Sequence, residues 1–195
     1  VGTDLWIWRK GQRERRPGAR ESLAEAIRQS ESARGFDWDF ALCLGDFSGN
    51  QDIPDDVEGQ QIVAQFGALG KHRREQFYCL GGNHDASPSN RWFRKWIDPL
   101  GENTRSSGVD RARMPFPVEG TWERYAFRVG NLLVLMMSDR NELAPPVGRI
   151  VAGRGRGGRP AGAVSLATFQ WWRQIVEKHP DAVILSAHHH MLRET

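Results

Sequence analysis

The sequence has few cysteines, and this argues against one common class of metal site. Only Cys43 and Cys79 occur among the 195 residues, whereas a structural zinc site is usually built on a cysteine cluster. Each cysteine lies in a short apolar run that predicts a buried strand, so we expect both to fill the core as small apolar side chains. A disulfide between neighbouring strands is the alternative. Two cysteines are too few to indicate whether the protein resides in an oxidising or a reducing compartment.

Long apolar runs and a strong charge imbalance are also missing. No apolar run approaches the roughly 20 residues that cross a bilayer, so the sequence predicts no membrane span. The 27 Lys and Arg residues nearly balance the 24 Asp and Glu residues, for a net charge of +3. This charge is too small to indicate nucleic-acid binding by itself. We expect residues 1–195 to form a single soluble domain; its compartment stays open, with the cytoplasm favoured.

Strands and helices alternate along most of the chain. This β-α-β-α order predicts parallel strands joined by helical crossovers. Residues 1–20 and 101–120 are rich in Gly, Pro and polar residues, and we expect loops there. The dipeptide Gly130-Asn131 predicts a tight hairpin turn. Helices are expected at residues 21–33, 62–69, 92–97 and 165–178, and strands at 36–44, 77–80, 124–129, 132–137 and 182–185.

Three of the predicted strands are followed directly by side chains that can bind metals or transfer protons. Asp46 follows the first strand, Asn83, His84 and Asp85 follow the second, and three histidines at 188–190 follow the last. In an open α/β sheet, ligands bind outside the carboxyl ends of the strands, so we expect these groups to share one edge. Carboxylate, amide and imidazole donors suit divalent ions such as Mn, Fe, Zn, Co or Ni.

Two metal ions would give each of these residues a chemical task. A carboxylate can bridge two ions that stabilise the attacking and leaving oxygens of a displacement, and Asp46 is placed to do so. Asn83 can supply a neutral oxygen ligand. His84 can act as a cation or proton donor for a phosphoryl oxygen or leaving group, and Asp85 can hold its other ring nitrogen. Taken singly, each motif also has a structural explanation, as a turn, a helix cap or a structural histidine.

In their order along the chain, these motifs resemble those of the calcineurin-like metallophosphoesterase superfamily. The resemblance covers residues 36–190. It implies an α/β/β/α sandwich of mixed sheets with a dinuclear metal centre that hydrolyses phosphate mono- or diesters. By this resemblance Asp46 bridges the metals, Asn83 binds the second one, His84 stabilises the transition state and Asp85 orients His84. The family's next histidine ligand falls on the triplet, with His188 preferred and His189 as the alternative.

Two motifs of that superfamily are not found in the sequence. The family begins with Asp-x-His, and the nearest upstream candidate, Asp4-Leu5-Trp6, has Trp in place of His. The family ends with Gly-His-x-His after a further strand, which would lie beyond Thr195. We therefore expect the sequence to be a part of the catalytic domain, incomplete at both termini. Such a segment should bind metal weakly and turn over poorly, and two tight metal sites on it would contradict this expectation.

Two functions of other classes compete with a phosphoesterase. A relative that kept the fold as a non-catalytic binding module is the first, and the intact Asp46, Asn83, His84 and Asp85 count against it. A nucleic-acid-binding protein that uses Arg/Gly-rich loops, chiefly residues 148–160, is the second. Its affinity should fall steeply with salt and need no metal.

The substrate-binding residues and the oligomeric state do not follow from the sequence. Substrate choice should depend on the loops at residues 47–57, 86–118 and 139–164, which show no recognisable motif. Their aromatic residues either stack on a nucleoside or pack in the core. These residues are Trp92, Trp96, Phe116 and Trp122.

Overall fold

A short hairpin precedes the main body of the fold. The computed structural model of the protein describes residues 6–9, 12–15, 22–32, 34, 37–48, 53–138 and 164–189. Strand β1 (Trp6–Arg9) pairs antiparallel with β2 (Gln12–Arg15), with Arg9 opposite Gln12. The expectation of a loop over residues 1–20 is therefore wrong for these two segments. Only two residues separate the strands, which is a common hairpin loop length.

The first sheet has two parallel strands and helices on one face. Helix α1 (Ser22–Ser32) is followed by β3 (Ala41–Cys43), α2 (Asp56–Gln65), β4 (Phe77–Cys79) and α3 (Arg91–Trp96). Strands β3 and β4 pair in parallel from Ala41 opposite Phe77 to Cys43 opposite Cys79. This order confirms the predicted parallel pairing with a helical crossover.

Strand β3 is shorter than the strand predicted at residues 36–44. Its partner β4 spans only three residues, so the ladder ends at Ala41. Upstream of Ala41, side-chain contacts replace the backbone hydrogen bonds of the strand pair. The side-chain amide of Gln76 donates to the carbonyl of Asp39 at 3.0 Å, and the ring of Trp38 stacks on that of His72 at 3.7 Å.

The second sheet has four strands. Strand β5 (Glu119–Thr121) pairs antiparallel with β6 (Arg124–Val129), which forms a hairpin with β7 (Leu132–Met137). Strand β8 (Val183–His188) then pairs in parallel with β7, after the crossover helix α5 (Leu166–Lys178). Ser165 caps α5 by accepting a hydrogen bond from the Thr168 amide at 3.0 Å.

Three hydrophobic clusters separate four layers in the order α/β/β/α. Side chains of successive strand residues point to opposite faces, and β4 shows this clearly: Phe77 and Cys79 pack under the helices, while Tyr78 packs between the sheets. On the far side of the second sheet, Leu133 and Leu135 pack against α5. This layering agrees with the predicted fold class.

Both cysteines behave as predicted. Cys79 is fully buried in the cluster beneath the helices, and Cys43 is half-buried against the same cluster. Both are free thiols, although they are register partners on neighbouring strands. They contribute to the core as small apolar side chains.

The segment at residues 101–120 was predicted to be loop, and this prediction is partly wrong. It contains the short helix α4 (Thr104–Ser107), a 3₁₀ turn at Arg111–Arg113 and strand β5. These elements are too short to show a hydrophobic period, so local sequence does not reveal them. Within the described ranges, no helix is both long and apolar enough to cross a membrane.

Candidate active site at the carboxyl edge of the first sheet

Strands β3 and β4 end at the same edge of the first sheet. Beyond their last residue pair, the Leu80 amide donates to the carbonyl of Cys43 at 3.0 Å, which extends the parallel pairing by one residue. Each strand then runs into a turn that carries predicted site residues. Asp46 lies in the first turn, and the 3₁₀ turn Asn83–Asp85 forms the second. The predicted convergence of these two motifs is therefore present.

Asp46 reaches this edge through a left-handed turn. Gly45 has a φ of +87° and Asp46 a φ of +53°. Residues that carry a side chain rarely adopt such angles. The turn lies directly against the second loop, because a β-carbon added to Gly45 would collide with the backbone nitrogen of Gly82. In this position Asp46 Oδ1 accepts a hydrogen bond from the His84 amide at 2.9 Å. Asp46 thus joins the two loops.

His189 approaches Asp46 from the second sheet. Its Nε2 lies 3.0 Å from Asp46 Oδ2, and its Nδ1 lies 2.6 Å from the carbonyl oxygen of Leu44. A carbonyl oxygen only accepts hydrogen bonds, so Nδ1 carries the hydrogen in this contact. Nε2 therefore faces a carboxylate, which is favourable only when a proton or a metal ion lies between them. Metal-ligating histidines are commonly held in this way, with the other ring nitrogen bonded to a carbonyl.

Of the two histidines considered as the ligand, the structure brings His189 to Asp46. In β8, Ala187 packs between the sheets, whereas the Ser186 hydroxyl accepts from Trp172 of helix α5 at 2.8 Å. Side chains alternate along a strand, so His188 follows Ser186 toward the α5 side. His189, one residue further, turns back toward the first sheet. His190 lies outside the described residues.

Asp85 occupies the most buried position of the site. It is 1% exposed, and its two oxygens accept from the Ser48 amide at 3.0 Å and the Gly82 amide at 2.8 Å. That Asp85 holds the ring of His84 stays a prediction from the sequence. The contact with Ser48 joins the first loop to the second, and the contact with Gly82 lies within the second loop. Burial raises the pKa of Asp85 to about 7, although both amides lower it.

The electrostatics of Asp46 differ from those of Asp85. Partial burial raises the pKa of Asp46, but the ring of His189 and the amide of His84 outweigh that effect, so its pKa lies below the ordinary range. Asp46 is therefore the carboxylate of this pair that stays ionised near neutral pH. Asn83 and His84 are half-buried on the same turn.

A comparison of the chain with known families agrees with this geometry. The model of the calcineurin-like phosphoesterase family matches residues 3–194. The chain belongs to the calcineurin-like phosphoesterase family. No curated protein and no solved structure matches it. Family membership supports a hydrolase of the phosphoesterase type, and it confirms the resemblance that the motifs indicated.

The donor atoms at this site are of the chemical types that bind divalent metal ions. Asp46 offers a carboxylate, His189 an imidazole nitrogen and Asn83 an amide oxygen, which together suit ions such as Mn, Fe or Zn. Among the residues that the structure describes, however, no three His, Cys, Asp or Glu side chains form a group that could hold a metal. The described residues thus contribute part of a coordination sphere.

Sequence reasoning missed one residue that shapes the site. Ser138 is buried at the end of β7, where its hydroxyl accepts from the Gly81 amide at 2.8 Å and donates to the carbonyl of Trp122 at 3.0 Å. It fixes the Gly-Asn-His-Asp loop of the phosphoesterase to the second sheet. A polar pair, Ser138-Asp139, after an apolar strand was the available signal.

Residues 148–160, the Arg/Gly-rich segment, lie outside the described residues.

Proposed function

We propose that the protein is a metal-dependent phosphoesterase that hydrolyses a phosphate mono- or diester at a dinuclear metal centre around Asp46. One observation carries this proposal beyond family membership. Asp46 is approached by the Nε2 of His189 on one oxygen and by the His84 amide on the other. This pairing of an ionised carboxylate with a pre-oriented imidazole nitrogen supports a cation site at the edge where three strands end.

The residues that would hold the ions are Asp46, Asn83 and His189, with His188 as the other ligand predicted from the sequence. When bound, two ions such as Mn, Fe, Zn, Co or Ni supply Lewis-acid stabilisation of the phosphoryl group and activate the attacking water. Asp46 would lie between them as the bridging carboxylate. The Leu44 carbonyl holds His189 at 2.6 Å, and therefore sets which ring nitrogen is presented.

His84 is the proposed acid of this site. Its backbone amide donates to Asp46 Oδ1 at 2.9 Å, which holds the residue next to the proposed bridging carboxylate. From there the imidazole would donate a hydrogen bond to a phosphoryl oxygen, or a proton to the leaving oxygen of the ester. Donation of this kind stabilises the charge that develops in the transition state.

Asp85 acts, in this proposal, as a positioning residue. Its bond to the Ser48 amide joins the loops after β3 and β4, and its bond to the Gly82 amide holds the second of these loops in its turn. Replacing this buried carboxylate would leave two backbone donors without their acceptor, which is costly in a water-excluded position. Asp85 would therefore influence catalysis through the distance between Asp46 and His84.

The test is hydrolysis of bis-p-nitrophenyl phosphate and p-nitrophenyl phosphate by the full-length protein with added Mn. We expect His84→Ala to lower kcat by about 10²-fold or more, the usual size of a general acid contribution. Asp46→Asn should lower kcat as well, because it removes the proposed carboxylate ligand of the metal ions. Glu102→Gln removes a half-exposed carboxylate paired with Arg94 at the surface, and should leave kcat unchanged. Hydrolysis that both active-site variants retain would contradict the proposal.

The two competing functions give different results in the same experiments. If the full-length protein binds Mn but hydrolyses neither ester, and both variants behave like the parent, the binding-module function replaces the phosphoesterase. A nucleic-acid-binding protein would instead retain single-stranded oligonucleotides in the presence of a chelator and release them steeply with added salt.

A further inference from the structure

A cleft of about 270 Å³ lies beside the candidate active site. Ile53 and Pro54, from the segment that follows Asp46, form one wall. Pro88 and Trp92, from the segment that follows Asp85, form the other. The second loop of the site thus leads directly into one wall of this cleft, and the other wall is formed by residues that follow the first loop in sequence. Its size is near the lower end of small-molecule sites, which suits a small organic group.

The cleft begins close to the proposed chemistry. Ser87 is part of its lining and is two residues beyond Asp85. Consecutive Cα atoms are 3.8 Å apart, so the Cα atoms of these two residues are separated by at most about 7.6 Å. The lining of the cleft therefore begins one short step of the backbone from the second loop of the site, and in the proposal below the organic group of the ester extends toward it from the phosphoryl group.

Hydrogen bonds hold the two walls in place. The indole nitrogen of Trp92 donates to the carbonyl of Asp55 at 2.6 Å, and the Trp92 amide donates to the Ser87 hydroxyl at 3.0 Å. Between Ser87 and Trp92, two residues have left-handed backbone angles: Ser89 with a φ of +55° and Asn90 with a φ of +49°. Non-glycine residues adopt this conformation only where the surroundings fix it, and such positions often lie at functional sites.

Of the two cationic side chains that line the cleft, one forms an ion pair and the other forms none with the residues that the structure describes. Lys95 is neutralised by Asp56, whose Oδ2 lies 2.7 Å from its Nζ, and Trp96 donates to the other oxygen of Asp56 at 2.8 Å. Arg91 is exposed and lines the same cleft. Arg91 forms no ion pair with a carboxylate in the described part of the chain, and Asp56, which is already paired with Lys95, attracts it only at longer range. The cleft therefore combines apolar walls with one guanidinium at its rim that has no paired carboxylate among these residues.

We propose that this cleft binds the organic group of the phosphate ester, an aromatic or other apolar group that bears an anionic substituent, and that Arg91 binds that anion. The proposal rests on the function proposed above and narrows its substrate class. The apolar surfaces of Ile53, Pro54 and Pro88 contact the body of the group, and the guanidinium offers paired donors that match a carboxylate or a second phosphate.

Two pairs of small molecules test this proposal on the full-length protein with Mn. Phenylphosphonate and 4-carboxyphenylphosphonate, which are not hydrolysed, report binding by calorimetry. Phenyl phosphate and 4-carboxyphenyl phosphate report kcat and KM. Arg91→Gln removes the proposed anion contact, and Arg91→Lys keeps the charge. Arg94→Gln is the matched control, because Arg94 lies on the same helix and pairs with Glu102 instead of lining the cleft.

We expect Arg91→Gln to weaken binding of the carboxylated phosphonate, and to raise KM for the carboxylated ester, by about ten-fold, as loss of one charge-assisted hydrogen bond does. Binding of the uncarboxylated compounds, and kcat for both esters, should not change. Arg91→Lys should recover part of the loss, and Arg94→Gln should lose nothing. Equal effects of Arg91→Gln on both members of a pair, or no effect on either, would overturn the inference.

The design separates failure of this inference from failure of the proposed function. If neither ester is hydrolysed, the phosphoesterase proposal fails. A ten-fold selective loss of phosphonate binding in Arg91→Gln would then still support the cleft as an anion-binding site. If hydrolysis is observed but Arg91→Gln binds both phosphonates and hydrolyses both esters like the parent, only the cleft assignment is overturned.

Discussion

Gly45 and Gly82 face each other so closely that neither loop can accept a β-carbon there. A β-carbon on Gly45 would lie 2.7 Å from the Gly82 α-carbon, and one on Gly82 would lie 2.5 Å from the backbone nitrogen of Asp46. Real β-carbons essentially never approach other atoms under 3.0 Å. The two loops of the phosphoesterase site therefore depend on the absence of side chains at this contact, and the hydrogen bonds of Asp46 and Asp85 form across it.

Replacing Gly82 by alanine tests this contact. Gly82 has a φ of −89°, which any residue adopts, so the effect of Gly82→Ala arises from the collision with Asp46. We expect a loss of about 1–3 kcal/mol in the free energy of unfolding, typical of overpacking, together with lower turnover. Urea denaturation measures the first. Gly67→Ala is the control, because a β-carbon at Gly67 meets nothing within 4 Å; equal losses in both variants would count against the tight contact.

The choice between the two histidines can be decided by metal affinity. His189 Nε2 faces Asp46 at 3.0 Å, whereas His188 lies in β8 on the α5 side. We expect His189→Ala to weaken Mn binding to the full-length protein at least ten-fold, about the effect of disturbing a ligand's environment, and His188→Ala to change it by less than about two-fold. Isothermal titration calorimetry gives both affinities. The reverse order would restore the ligand preferred from the sequence.

Ser138 should contribute to stability through two buried hydrogen bonds. In Ser138→Ala, the Gly81 amide and the Trp122 carbonyl each lose a partner in a buried position. We expect a loss of about 2 kcal/mol or more in the free energy of unfolding, since each unsatisfied group costs about 1–3 kcal/mol. The control is Ser32→Ala, whose hydroxyl donates to the Gln29 carbonyl at an exposed position. A loss no larger than that of the control would show that water replaces the hydroxyl.

A cluster of ionisable side chains around His72 predicts how stability depends on acid pH. His72 lies between Glu31 and Asp37, with each ring nitrogen 2.7 Å from a carboxylate oxygen. Partial burial raises the pKa of Glu31, but the Lys71 amide and the His72 ring outweigh it, so the pKa lies below the ordinary range. Hydrogen bonds from His72 and from the Trp38 amide also lower the pKa of Asp37.

Because the folded-state pKa of Glu31 is lowered, its stabilisation is complete above the unfolded value of about 4.3 and is lost as pH falls through the folded value. We expect Glu31→Gln to flatten the fall in the free energy of unfolding between pH 6 and pH 3, measured by urea denaturation. Glu102→Gln, at a half-exposed surface pair, should keep the slope of the parent. A slope in Glu31→Gln equal to that of the parent would contradict the role given to this cluster.

Elements with strong local signals could be predicted well from the sequence. The hairpin of β6 and β7 has the predicted boundaries, because Gly130-Asn131 separates two runs of strand-forming residues and Gly130 adopts a φ of +57°. Helix α5 has the predicted cap at Ser165 and the predicted end at Lys178. In both cases the determining contacts join residues that are near in sequence.

Features that depend on distant contacts could not be predicted in the same way. His189 rather than His188 reaches Asp46 because of the register of β8 against β7, which sequence spacing does not determine. One carboxylate oxygen of Asp85 accepts from a backbone amide 37 residues away, and a backbone partner leaves no mark in the sequence. The motif therefore identified Asp46 and the 83–85 turn, but not how their side chains are held.

Metal dependence of ester hydrolysis tests the central claim most directly. The full-length protein would be treated with a chelator, assayed with bis-p-nitrophenyl phosphate, and assayed again after Mn is added, beside Asp46→Asn taken through the same steps. A metal-dependent phosphoesterase should lose its turnover on chelation and regain it with Mn, whereas Asp46→Asn should stay inactive throughout. Turnover that persists in the chelator, or that Asp46→Asn recovers with Mn as the parent does, would contradict the assignment of the metal centre to Asp46.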